Sequence, residues 1–132
     1  MSGMKLDNYK SAIARLNEAV TIFQKYKNDT LSVTARNSLI KCFEIAFELC
    51  WKALTDFLRN QGVKIDQVSP RAIFRKAHSM GYLKDEKLWL DLLDDRNNMV
   101  HIYRESMANE AAELIMKKYT KAMNELLATL DC

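Results

Sequence analysis

The sequence predicts an all-α protein: an up-and-down bundle of four main helices plus a short one, folded as a single domain over residues 1–132. Three observations carry this expectation. Apolar residues recur at alternating steps of three and four along most of the chain, the spacing that lines one face of a helix. Glycine and proline are scarce, at three and one, so the punctuation that sheets and tight turns need is missing. The composition is 48% hydrophobic and 28% charged, a globular balance, and a chain of 132 residues fits one domain with one core.

The first helix is expected over 6–27, with Leu6, Tyr9, Ile13, Leu16, Val20 and Phe23 on its apolar face. Asn28, Asp29 and Thr30 break the pattern, and Thr30 or Ser32 can cap the next helix. That second helix, over 33–61, is the longest. Its stripe is Leu39, Ile40, Phe43, Phe47, Cys50, Trp51, Leu54, Phe57 and Leu58. Opposite runs a polar line of Lys41, Glu44, Glu48, Lys52, Thr55, Asp56 and Arg59, read as a solvated face with Glu48 and Lys52 in the favourable i,i+4 order.

Gly62 suits the left-handed position after that helix. Ser69 and Pro70 then announce a short third helix as N-cap and first residue. It ends near Met80, with Gly81 as its stop. Ile73, Phe74 and Ala77 form its apolar side; Arg71, Arg75 and Lys76 form a small basic cluster, solvated by default, with a secondary phosphate contact as the alternative. His78 reads as a surface or helix-end residue. A fourth helix starts near Asp85, with Trp89, Leu92, Leu93 and Val100 as its stripe. Ser106 is expected to cap the last helix, over 107–128. Its apolar residues are Ala108, Ala111, Ala112, Ile115, Tyr119, Ala122, Met123, Leu126 and Leu130.

The totals narrow the function classes. Net charge is +3, from 20 basic and 17 acidic residues, which is compatible with RNA contact without arguing for it. Cys42 and Cys50 lie on one predicted helix, roughly 12 Å apart along its axis, too far for a disulfide. They read as reduced, buried-type thiols of a cytoplasmic protein. No zinc-type Cys–His spacing is present, no signal-peptide pattern opens the chain, and no apolar run is long enough for a membrane span. No metal, cofactor or membrane is expected.

The stretch from Asp94 to Tyr103, DDRNNMVHIY, departs most plainly from a simple helix. Arg96 falls inside the apolar stripe, where a permanent charge is costly unless paired or set in a solvated cleft. His101 is the nearby group that titrates near neutrality. Arg, His and Tyr gathered this closely suit an anion, and a phosphate is the obvious one. On a straight helix Arg96 and His101 project about 140° apart. Either the helix ends or loosens at Asn97 and Asn98, which are weak helix formers, or two copies of the chain build the site across a twofold axis. The homodimer is the favoured alternative. Asp94 and Asp95 are placed to pair with Arg96 or tune it; they point about 100° apart, which argues against a two-metal centre. The metal-free chemistry that suits Arg and His is attack on an RNA phosphodiester. The imidazole moves the proton of a 2′-hydroxyl or of the leaving oxygen, and the guanidinium holds the non-bridging oxygens.

The same residues carry a resemblance. Arg96, four residues, His101, one residue, Tyr103 matches the Arg-x4-His-x-Tyr motif of HEPN domains. The run LIKCFEIAFELCWK at 39–52 resembles the second-helix signature of the nucleotidyltransferase substrate-binding protein family, a HEPN branch. Ser69-Pro70-Arg71 and LDLLDDRN at 90–97 fit the same family, and the likeness spans nearly the whole chain. The resemblance implies a dimerising helical bundle paired with a minimal nucleotidyltransferase, as toxin and antitoxin. Within such a pair Arg96 and His101 become the catalytic candidates of a metal-independent RNase. Tyr103, with Arg96 and Asn97, becomes the nucleotide- or phosphate-binding set, Tyr103 also being the candidate acceptor of AMP from the partner. A second implied reading is a non-catalytic subunit that presents nucleotide or substrate to the transferase. A plain helical interaction module, with Arg96 paired to an acid and no accessible His101, is the third.

Overall fold

The computed structural model describes residues 3–102 and 104–132. Its helices follow the apolar stripes: α1 (Met4–Tyr26), α2 (Ser32–Asn60), α3 (Pro70–Ser79) and α4 (Glu86–Asn98), which runs into a 3-10 turn (Met99–His101). The last rod is α5 (Glu105–Leu114), a π-helical turn (Ile115–Tyr119) and α6 (Thr120–Leu130). No strand occurs among the described residues.

The bundle is built around α2, whose 29 residues extend roughly 44 Å at the α-helical rise. It packs against α1, α3, α5 and α6. Leu39, Phe43, Phe47, Cys50, Leu54 and Leu58 of its stripe are fully buried, each large side chain contributing about 1.5–3 kcal/mol on removal from water. Tyr9 of α1 is sealed in the same core and donates its hydroxyl to the Met123 carbonyl at 2.6 Å. An aromatic ladder ties α2 to the elements that carry the candidate site. Phe47 meets Phe74 of α3 edge-on at 5.9 Å, and Phe74 meets Trp89 of α4 at 5.1 Å. Phe43 stacks on Tyr119 at 6.0 Å.

Both glycine stops have the expected chemistry. Gly62 and Gly81 sit at φ +81° and +85°, a region an L side chain enters only with strain. After α2, Gly62 N–H donates to the Arg59 carbonyl and Val63 N–H to that of Leu58. After α3, Gly81 and Tyr82 do the same to His78 and Ala77; this is the Schellman arrangement. Ser69 Oγ accepts from Ala72 N–H and Asp85 Oδ1 from Leu88 N–H, so both predicted helix starts hold.

Other expectations are corrected. Neither Thr30 nor Ser32 caps α2; the residue before it is Leu31, and Thr30 instead donates to the Asp29 carboxylate, which also takes Leu31 N–H. Ser106 lies inside α5, which follows Arg104 without a side-chain cap. Val100 is not on the buried stripe: it is 72% exposed, and Met99 takes the inward place. In the polar line of α2, Thr55 is buried and donates to the Trp51 carbonyl at 2.7 Å. In the last rod, Thr120 N–H and Oγ both reach the Ile115 carbonyl, which stabilises the wide π turn. Cys50 is buried, Cys42 half-buried and Cys132 exposed, all three free.

Candidate functional site

Arg96 sits in the last turn of α4 and is gripped on three sides. Its Nη2 donates to Glu48 Oε1 at 2.9 Å, and its Nη1 donates to Asn97 Oδ1 at 3.3 Å. Its guanidinium carbon stands 5.0 Å above the centre of the Phe47 ring. The side chain remains 29% exposed. An arginine on the apolar stripe is therefore accommodated by a carboxylate and an aromatic face that both come from α2. Glu48 is itself drawn by Lys52 Nζ at 3.6 Å and by Trp51 Nε1, which donates at 3.3 Å. The polar line read as a solvated face thus supplies the arginine's partner.

The neighbouring acids are engaged elsewhere. Asp94 takes Arg71 Nη2 at 2.7 Å, so one member of the predicted basic cluster is tied to α4. Asp95 accepts a short hydrogen bond from the Tyr119 hydroxyl. Burial, then the carboxylate beside it, pushes the Tyr119 phenol well above its ordinary range, so it remains a donor. Neither acid pairs with Arg96 as expected from their adjacency, because that face of α4 looks toward α3 and the π turn.

The α-helix ends at Asn98 and tightens into the 3-10 turn, with Ile102 extended after it. The straight helix that would hold Arg96 and His101 apart is thus interrupted at the place the two asparagines suggested. Met99 anchors the turn in the core, while Val100 and His101 are exposed. Tyr103, the candidate AMP acceptor, lies outside the described residues. Asn97 is exposed and lines a cavity of about 580 Å³ with Ser69, Arg71, Arg75 and Leu93. On the other side of the segment, a cavity of about 520 Å³ is lined by Arg36, Lys41, Met99, Ile102 and Arg104, among others. His78 faces Glu86 at 3.9 Å, far from an ideal hydrogen bond. No group of three or more potential metal-ligating side chains occurs among the described residues, and no helix there is long and apolar enough to cross a membrane.

Sequence reasoning missed Glu48, Phe47 and Arg36 as parts of this region. Arg36 gave the same signal as Arg96: it stands one turn before Leu39 and Ile40, on the buried stripe. Glu48 gave none beyond its i,i+4 relation to Lys52, since a carboxylate on a polar face looks alike whether or not another helix reaches it.

The sequence profile of the family described as "nucleotidyltransferase substrate binding protein like" matches residues 4–132. No curated protein sequence matches the chain. Among solved structures, a protein from Thermus thermophilus is 31% identical with a TM-score of 0.80, covering 94% of this chain and 99% of that one. A Haemophilus influenzae protein, described as having the fold of a substrate binding domain of a nucleotidyltransferase, is 21% identical with a TM-score of 0.83, covering 96% and 99%. A tri-AMPylated HEPN toxin from Shewanella oneidensis, solved in complex with its MNT antitoxin, is 19% identical with a TM-score of 0.71, covering 96% and 93%.

Proposed function

We propose, because the chain belongs to the nucleotidyltransferase substrate binding protein like family, that it is the helical partner of a minimal nucleotidyltransferase and acts as a metal-independent ribonuclease toxin silenced by that partner. The observation that carries the reading is the last turn of α4. There a half-buried guanidinium, held by Glu48 over Phe47, is followed directly by a 3-10 turn that sets His101 at the surface. An RNA phosphate competes with Glu48 for Arg96, since both offer a pair of anionic oxygens to the same planar fork. His101 takes the 2′-hydroxyl proton as that oxygen attacks phosphorus. The bond to the 5′-oxygen breaks, the leaving oxygen takes a proton, and a 2′,3′-cyclic phosphate and a free 5′-hydroxyl remain. Arg96 offsets the charge that builds on the non-bridging oxygens.

A homodimer completes this reading by bringing Arg96 of one protomer to His101 of its partner. Exposed Ile45, one turn before Glu48, and exposed Val100, one turn past Arg96, give such a contact apolar surface. Silencing follows from AMP added to Tyr103: a bulky, charged group two residues after His101 in sequence opposes the binding of RNA.

A non-catalytic nucleotide-binding subunit is the second reading; the pairing of Arg96 with Glu48 is instead what a plain interaction module expects, while the exposure of His101 counts against that module. Expression of the chain alone, as His101→Ala, and with its transferase separates the two. The ribonuclease reading expects slowed growth and cleaved RNA from the wild type only, both relieved by the transferase. Wild type and His101→Ala that are equally harmless and equally inert toward RNA refute it. Transferase binding that survives His101→Ala in that case leaves the binding-subunit reading.

A further inference from the structure

We propose that the cavity of about 520 Å³ between the start of α2 and the turn after α4 is a ribonucleotide subsite, with Arg36 as its phosphate anchor. This deepens the reading above and rests on it: the nucleotide bound here belongs to the same strand as the phosphodiester held at Arg96.

Arg36 is the one charged side chain among the buried residues described. Only 9% of its side chain is exposed. Its Nε and Nη2 donate to Asn37 Oδ1 at 3.2 and 3.1 Å, and its Nη1 donates to Asn109 Oδ1 at 3.1 Å. These partners are neutral amides. They fix the plane of the guanidinium without cancelling its charge. The carboxylate within reach, Glu105 Oε1, is 3.5 Å away on a side chain that is 68% exposed, and solvent screens such a contact heavily. A desolvated cation oriented by amides and left largely uncompensated is costly to keep for packing alone. It is well prepared to receive an anion.

The walls around it suit a nucleotide rather than a bare ion. Lys41 and Arg104 add two cations that, with Arg36, outnumber the two carboxylates of the lining, Glu44 and Glu105, while Ile40, Met99, Ile102 and Ala108 offer apolar surface for a base or sugar. The volume is within the range of pockets that hold small organic ligands. Met99 and Ile102 bracket the 3-10 turn that ends in His101. Arg36 and Glu48, the partner of Arg96, are twelve residues apart on α2, roughly 18 Å along its axis, so a strand whose phosphate sits at Arg96 reaches the cavity only a few nucleotides further on.

The ligand chemistry, a ribonucleotide phosphate, has two sources: a nucleotide of an RNA strand, or free ATP, the AMP donor of a nucleotidyltransferase. The test measures binding of a short fluorescent single-stranded RNA, and separately of ATP, to His101→Ala protein so that RNA is not consumed. In that background Arg36→Gln and the surface variant Lys41→Ala with Arg104→Ala are compared, with thermal unfolding to verify that each is folded. Each variant is expected to weaken RNA binding about tenfold and to reduce the salt dependence, by about one unit of slope for the single Arg36 change. Weakening of ATP alone assigns the cavity to free nucleotide; weakening of both assigns it to the shared phosphate. RNA and ATP binding within twofold of the parent in the surface variant, and in Arg36→Gln where it folds, overturns the subsite while leaving the ribonuclease reading standing. Absence of RNA binding by the parent itself, with ATP binding still dependent on Arg36, sinks the ribonuclease reading and keeps the nucleotide subsite. Absence of both overturns both.

Discussion

The grip of Glu48 on Arg96 makes a quantitative prediction. At 2.9 Å two unit charges attract by about 1.4 kcal/mol in a medium like water and several-fold more in a lower dielectric. Ordering two long side chains and partly desolvating them takes much of this back. The side chains are 29% and 38% exposed, between a surface pair worth about 0.2–1 kcal/mol and a buried one whose rupture costs about 3–5 kcal/mol. We expect a coupling of about 1 kcal/mol. Arg96→Met keeps a stem over Phe47, Glu48→Gln keeps the shape of the acid, and the double variant closes the cycle. Urea unfolding followed by far-ultraviolet circular dichroism measures all four proteins. The coupling should fall by half or more in 1 M salt, where the screening length is about 3 Å. Glu48→Gln should also tighten binding of a short RNA several-fold, because the phosphate no longer displaces a carboxylate. Effects of the two substitutions that add to within about 0.3 kcal/mol would refute the reasoning: Glu48 would not hold Arg96 in solution, and the exchange of carboxylate for phosphate would have no basis.

Ser69→Ala removes the acceptor for Ala72 N–H and should lower stability by about 1 kcal/mol, read from the urea midpoint. Tyr119→Phe keeps the stack on Phe43 but deletes the donor to Asp95; we expect about 1 kcal/mol of destabilisation and reduced RNA cleavage as the end of α4 loosens. Burial raises the Cys50 thiol from 9.0 to about 12 and also raises the Tyr9 phenol. The folded chain thus keeps protons that the unfolded chain releases, so stability is intact below about pH 9 and falls above it, by up to about 1.4 kcal/mol per pH unit for each group. Urea midpoints at pH 7.5, 9 and 10 should show the fall, and Cys50→Ala should flatten its first unit. Val100→Asp places a charge on an exposed apolar residue in the 3-10 turn. On the proposed homodimer, it should shift sedimentation from dimer to monomer relative to the wild type without changing the melting temperature by more than a few degrees; a wild-type monomer would refute the dimer, and a dimer unchanged by the substitution would remove Val100 from the contact.

The helices were legible because each buries one stripe, and a stripe is written in a single run of sequence. Tyr9, Ile13, Leu16 and Phe23 were readable for α1, as were Phe43, Phe47 and Leu54 for α2, and all prove buried. The starts at Ser69 and Asp85 and the stops at Gly62 and Gly81 were equally local, since a cap involves residues only a few positions apart. Arg96 stood out as a charge inside a stripe. Its partner did not, because Glu48 lies 48 residues away and nothing in α2 says which helix will cross it. Asp94 and Asp95 misled for the converse reason: neighbours in sequence face different elements on a helix. Val100 failed because the period that places it inward holds only while the α-helix continues, and the helix stops at Asn98.

The wide turn from Ile115 to Tyr119 takes up about one residue more than an α-turn within a continuous C-terminal rod, with a length of α-helix on each side. Ala108 and Ala112 seat the first length, while Met123, Leu126 and Leu130 seat the second. Loss of that extra residue would re-aim the Tyr119 hydroxyl while leaving both lengths seated. This gives the bundle a vernier on the end of α4, and relatives that tune that end differently should vary in length at this one turn while both flanks stay in phase.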